Sequence, residues 1–155
     1  MNMKKLIKKN KGFTFFLTND SSENVIEAMN VKRFLGEVYS DSNFNRDKLI
    51  PPVAHFIKKD YLVVGYSHKI DPKGKLTGPQ LIKKFFDFAL DFDCEHVFTI
   101  SDHIIKDKRY SLIGHIDLVN LKKEYGIAEI DFSNEQVVVG DYVWSENAPT
   151  QYFGE

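Results

Sequence analysis

Apolar and polar residues change their period several times along this 155-residue chain. Residues 13–18 alternate loosely, which is the two-residue period of a strand. Residues 61–66 (YLVVGY), 96–100 and 111–117 are rich in β-branched and aromatic side chains and predict further strands. Asp71-Pro72-Lys73-Gly74 fits a type I turn, with proline second and glycine fourth. Thr77-Gly78-Pro79-Gln80 fits a capping box, in which Thr and Gln each take up a free backbone N–H. Leu81, Phe85, Phe88 and Phe92 follow at four- and three-residue spacing and predict an amphipathic helix with that stripe in the core.

The remaining segments are less regular. Asp20-Ser21-Ser22-Glu23 reads as a helix start, with Val25, Met29, Leu35 and Val38 on one face and a break near Gly36. Residues 39–48 are polar and irregular. Pro51-Pro52 predicts a short helix running to Lys59, since proline is tolerated in a first turn. Residues 106–109 form a charged turn between two strands. Residues 118–125 predict a short helix stopped by Gly126. Residues 127–132 and 136–144 predict a hairpin around Ser133-Asn134-Glu135. This order lacks regular βαβ alternation. It predicts an α+β fold, an antiparallel or mixed sheet of about five to six strands packed by two to four helices.

Composition sharpens this picture in three ways. The length suits a single domain over residues 1–155, with a basic lead-in at 1–11 and a tail at 145–155 as its loosest parts. Thirteen phenylalanines predict a Phe-rich core. Cys94 is the only cysteine, so no intramolecular disulfide forms and a reducing, cytoplasmic setting is the simplest expectation. The apolar run at 13–17 is too short for a secretory signal, and no segment has the length of a membrane span. The net charge of −1 hides a split. Residues 1–83 carry 15 Lys and Arg against 8 Asp and Glu, whereas residues 84–155 carry 6 against 14. Such asymmetry marks a binding face of one sign, or two halves that fold against each other and neutralise.

Phosphate-binding glycine loops, the Gly-x-Ser-x-Gly elbow and His-Glu-x-x-His are all absent from the sequence. Ser101-Asp102-His103 holds the residue types of a serine triad, but neighbours on a strand point to opposite faces and cannot converge. A sharper grouping appears if 94–100 and 111–117 pair as a hairpin with its midpoint between Ile105 and Lys106. His96 then faces His115 and Cys94 faces Asp117, all on one sheet face. Cys94, His96, His115 and Asp117 are competent zinc ligands, or a thiolate activated by a histidine. This pattern depends wholly on register. In the last hairpin Glu129 and Asp131 face outward if Ile130 and Phe132 face the core. One register brings Tyr142 and Trp144 to the same outer face, with Asp141 beside them. Acid with Tyr and Trp is the chemistry of a patch that anchors and steers a basic protein.

Two functional expectations follow. The first is a non-enzymatic protein-binding protein: a small cytoplasmic inhibitor, such as a bacterial toxin-neutralising immunity protein, blocking a basic partner through Glu129, Asp131, Asp141, Tyr142 and Trp144. The second is a small hydrolase or zinc-binding enzyme using Cys94, His96, His115 and Asp117. The N-terminal lysines favour phosphate through counterion release, but the chain is not basic overall and has no nucleic-acid motif, which makes nucleic acid the weaker partner. The first reading expects no cofactor, and neither expects a membrane.

Overall fold

The computed structural model describes residues 3–17, 52–59, 61–131 and 138–147. In chain order these form helix α1 (Met3–Lys9), strands β1 (Phe13–Leu17), β2 (Val53–Lys58) and β3 (Tyr61–Tyr66), the short helix α2 (Ser67–Ile70) and the long helix α3 (Gly78–Phe92). The chain then runs through β4 (His96–Ile105), β5 (Lys108–Asp117), β6 (Lys122–Asp131), β7 (Val138–Val139) and β8 (Val143–Ser145). The helix expected to start at Asp20 and the irregular segment 39–48 lie outside the described residues.

The strands make one antiparallel sheet in the order β1-β3-β2-β4-β5-β6, and β7 and β8 both pair with β6. The described residues thus fill seven positions across the sheet, more than the five to six expected, with few helices. The architecture is α+β, dominated by the sheet. β2 lies between β3 and β4, so the connection carrying α3 passes over β2 to reach its far side.

α3 forms where its sequence dictates. Thr77 Oγ1 accepts the Gln80 N–H at 3.3 Å and Gln80 Oε1 accepts the Thr77 N–H at 2.9 Å, completing the capping box. Leu81, Phe85, Phe88 and Phe92 are all buried against the sheet. The Phe13 ring stacks on Phe88 at 4.2 Å, and Phe56 meets Phe88 edge-on at 4.8 Å, two geometries that aromatic quadrupoles favour. The basic lead-in is helical over Met3–Lys9, and Leu6 is buried in this same core. Lys9 Nζ reaches Asp91 at 3.3 Å and Lys58 Nζ reaches Asp93 at 3.8 Å, so part of the charge split is offset within the fold.

Two expected helices are strands instead. Residues 53–58 form β2, held between β3 and β4 by continuous ladders. A strand buried on both faces reads as an unbroken apolar run, and Ala54, His55, Phe56 and Ile57 are buried in succession. Residues 118–121 form a turn and β6 begins at Lys122. Asp117 Oδ1 accepts the N–H groups of Val119 at 3.0 Å and Asn120 at 2.9 Å, an Asx turn that competes with helix. Leu121 then takes a left-handed φ of 54°, which ends any helical path. The last hairpin forms, but its second strand is interrupted: β7 and β8 pair with separate stretches of β6.

The second face of the sheet buries Ile57, Val64, Ile100, Ile113, Ala128 and Ile130. It also buries an ion pair: Arg109 Nε donates to Asp102 Oδ2 at 2.8 Å, and a second guanidinium nitrogen donates to the same oxygen. No helix among the described residues is long and apolar enough to cross a membrane.

Candidate functional site

The β4–β5 turn sets the geometry of the site. Lys106 and Asp107 both have positive φ, 50° and 66°, which makes a two-residue turn of the type that matches strand twist. Ile105 therefore faces Lys108, His96 faces Asp117 and Phe98 faces His115. The expected register, with His96 facing His115, is out by two residues. A slip of two keeps every side chain on its face. His96, His115 and Asp117 therefore still share a face, with the histidines diagonal rather than opposite.

That diagonal brings His96 Nδ1 to 3.1 Å from His115 Nε2. His115 Nδ1 lies 3.0 Å from Glu124 Oε1, and Glu124 is its direct cross-strand partner on β6. The Phe98 ring lies parallel to His115 at 4.2 Å and fixes its plane. The chain of contacts sets the tautomers. A carboxylate only accepts, so His115 donates from Nδ1 and leaves Nε2 as an acceptor. His96 then donates from Nδ1, and its Nε2 is the basic nitrogen. Burial lowers the pKa of His96, and the neighbouring His115 lowers it further, while Asp117 opposes both. Asp117 itself is held below the usual carboxylate range, mainly by the Asn120 side-chain and backbone donors.

Cys94 does not join this group. It precedes β4 and packs among the buried residues of α3, with Sγ 3.8 Å from the Ala89 carbonyl oxygen. The expected pairing with Asp117 fails because residue 94 lies outside the ladder. Burial pushes its thiol up to about 12, so it is protonated at neutral pH and lacks the thiolate a nucleophile needs. The quartet is thereby reduced to His96, His115 and Asp117. Among the described residues no three His, Cys, Asp or Glu side chains converge as a ready metal cage.

The aromatic residues of the last strand come to the same face. Trp144 is the register partner of Gly126, and a Cβ on Gly126 would meet the indole ring at 3.0 Å. The glycine is therefore a seat for the ring, not a helix stop. Trp144 remains 46% exposed. Tyr142 lies 6.1 Å from it, centroid to centroid, and its hydroxyl donates to Ser111 Oγ at 2.9 Å. Burial pushes the Tyr142 phenol up to about 12. Glu129 and Asp131 are exposed on the opposite face, where Glu129 lies 3.8 Å from Lys108 Nζ. The expected acidic-aromatic face is thus divided by the sheet, and Asp141 is exposed in the link between β7 and β8. The acids that accompany the aromatics are Glu124 and Glu146. Both line a hollow of about 160 Å³ with His115, Asp117, Lys122 and Lys123. Sequence reasoning missed both. Alternation along β6 places Glu124 beside Gly126, but only once residues 122–126 are read as strand.

Ser101 and His103 share a face, with Oγ 3.0 Å from Nε2, while Asp102 turns to the other side and binds Arg109. The three do not form a triad. No protein-family model matches this chain, and no curated protein and no solved structure is similar to it.

Proposed function

We propose that this chain is a non-enzymatic, cytoplasmic protein-binding protein that captures and blocks a basic partner, in the manner of a toxin-neutralising immunity protein. One observation carries the reading: the half-exposed indole of Trp144, seated over Gly126, shares its sheet face with Glu124 and Glu146. A rigid aromatic anchor beside carboxylates suits an Arg or Lys side chain, which stacks on the ring while the acids take its charge. Lys122 and Lys123 at the rim set register by repelling misplaced cations. The backbone beneath the ring is a paired strand, so little ordering entropy opposes binding.

The test compares affinity capture from native lysate by the wild-type protein, by Trp144→Ala and by the double variant Glu124→Gln/Glu146→Gln, each at low and high salt. The expected result is one basic partner held by the wild type, lost with Trp144→Ala, and weakened by salt and by the double variant. Capture that is the same for all three proteins, or a partner that is not basic, overturns the reading.

A further inference from the structure

We propose that His96 and His115 form a binding site for a divalent transition-metal ion of the zinc or copper(II) type, ligated by His96 Nδ1 and His115 Nε2. This site shares Glu124 with the proposed capture face but does not involve Trp144.

The two ring nitrogens lie 3.1 Å apart, on adjacent strands whose ladder runs unbroken from one end to the other. A single ion at the usual metal–nitrogen distance of about 2.0–2.1 Å from each bridges that gap at an angle of roughly 100°, between the tetrahedral and square-planar values. Each ring nitrogen must turn its lone pair by roughly 40° from the other nitrogen to meet a shared ion at that distance. Glu124 supplies the outer partner that metal-binding histidines usually have: its carboxylate accepts from His115 Nδ1, fixing the tautomer that aims Nε2 at the ion and raising its basicity. Phe98, stacked on His115, holds the ring in that plane.

The proton count balances. His115 keeps its Nδ1 proton on Glu124. His96 moves its ring proton from Nδ1 to Nε2 through solvent and stays neutral, so the bound ion brings its full charge. Asp117 faces His96 across the strands. This carboxylate, with Glu124 and Glu146, offsets the ion, against Lys122 and Lys123 on the other side of the balance. The adjoining hollow of about 160 Å³ has room for the water that fills the remaining coordination positions. Imidazole nitrogens without thiolate or several carboxylates favour copper(II) and zinc over magnesium or calcium.

The experiment titrates the full chain at pH 7.5 with Zn²⁺ and, separately, with Cu²⁺, following heat. The expected result is saturable one-to-one binding of at least one of the two ions. His96→Ala and His115→Ala each abolish it, Glu124→Gln weakens it by about 10- to 100-fold, and the exposed-site control His68→Ala leaves it unchanged. Mg²⁺ gives no heat of binding. A second measurement on the wild-type protein needs no variant to fold. On adding Zn²⁺, imidazole nitrogen spectra should shift at His96 Nδ1 and His115 Nε2 and leave His115 Nδ1 protonated. No saturable binding of either ion, binding that survives both His→Ala variants, or shifts confined to other histidines overturns the proposal. Loss of partner capture in Trp144→Ala has no bearing on it.

Discussion

Replacing Asp102 with Leu tests a buried ion pair of the sheet. The Asp102 side chain is fully buried and that of Arg109 is 6% exposed, and two guanidinium nitrogens donate to one carboxylate oxygen. Taking away the carboxylate leaves a cation in the sheet interior, where water cannot reach it. Breaking a buried pair in this way costs about 3–5 kcal/mol. At roughly 2–4 °C per kcal/mol for a chain of this length, the melting temperature should fall by about 6–20 °C. The double variant Asp102→Leu/Arg109→Met removes both charges and fills the space with carbon, so it should recover most of that loss. Urea denaturation of the wild type, both single variants and the double gives the coupling directly. A single-variant cost below about 1 kcal/mol, the range of exposed pairs, refutes the reasoning. So does a double-variant cost equal to the sum of the singles.

Acid should destabilise the protein in a defined window. Burial holds His55 at about 4, below its ordinary 6.5, so between these values the unfolded chain binds a proton that the native chain refuses. Stability is therefore complete above pH 6.5 and falls as pH drops toward 4, by about 3 kcal/mol from His55 alone. His96 and His103, also lowered chiefly by burial, add loss of the same sign. Urea midpoints that stay level from pH 7 to 4.5 would contradict this, and His55→Gln should flatten part of the slope. Gly126→Val should unseat Trp144, costing about 1–3 kcal/mol and shifting indole fluorescence to longer wavelength; an unmoved emission maximum counts against the seat. Thr77→Ala removes one arm of the capping box and should cost about 1 kcal/mol, read as a small drop in melting temperature. Gly12→Ala should be far worse, because Gly12 has a φ of 95° and a Cβ there would lie 2.7 Å from the Ile70 backbone.

What the sequence made legible follows from how local each signal is. The α3 stripe, its capping box and strands β1, β3, β4 and β5 depend on periodicity and caps within a few residues, and all formed, although β4 runs on to Ile105 and β5 starts at Lys108, so the expected charged turn at 106–109 shrinks to two residues. β2 was misread because a strand buried on both faces loses its alternation, and Pro51-Pro52 then looked like a helix start. β6 was misread because Gly126 resembles a helix stop, when its role is to clear space for a ring 18 residues away. Site geometry turned on register, which no local pattern sets. The shared face of His96 and His115 survived an error of two residues because parity was kept. Glu124 was invisible because its strand was, and the pairing of Trp144 with Glu129 and Asp131 failed on parity across β6.

The burial of Cys94 gives this protein a built-in clock for its own opening. The thiol sits at the α3–β4 junction with 4% of its residue surface exposed, and at neutral pH almost none of it is in the reactive form. Buried in this way, it should react with a thiol reagent faster whenever its surroundings open. Because it is the sole cysteine, each labelled molecule marks one such event. The labelling rate, measured against denaturant, would therefore separate fluctuations that free this junction alone from those that unfold the whole chain. The same measurement made with added zinc would show whether the ion proposed to bind at His96 and His115 slows that opening, without any engineered probe.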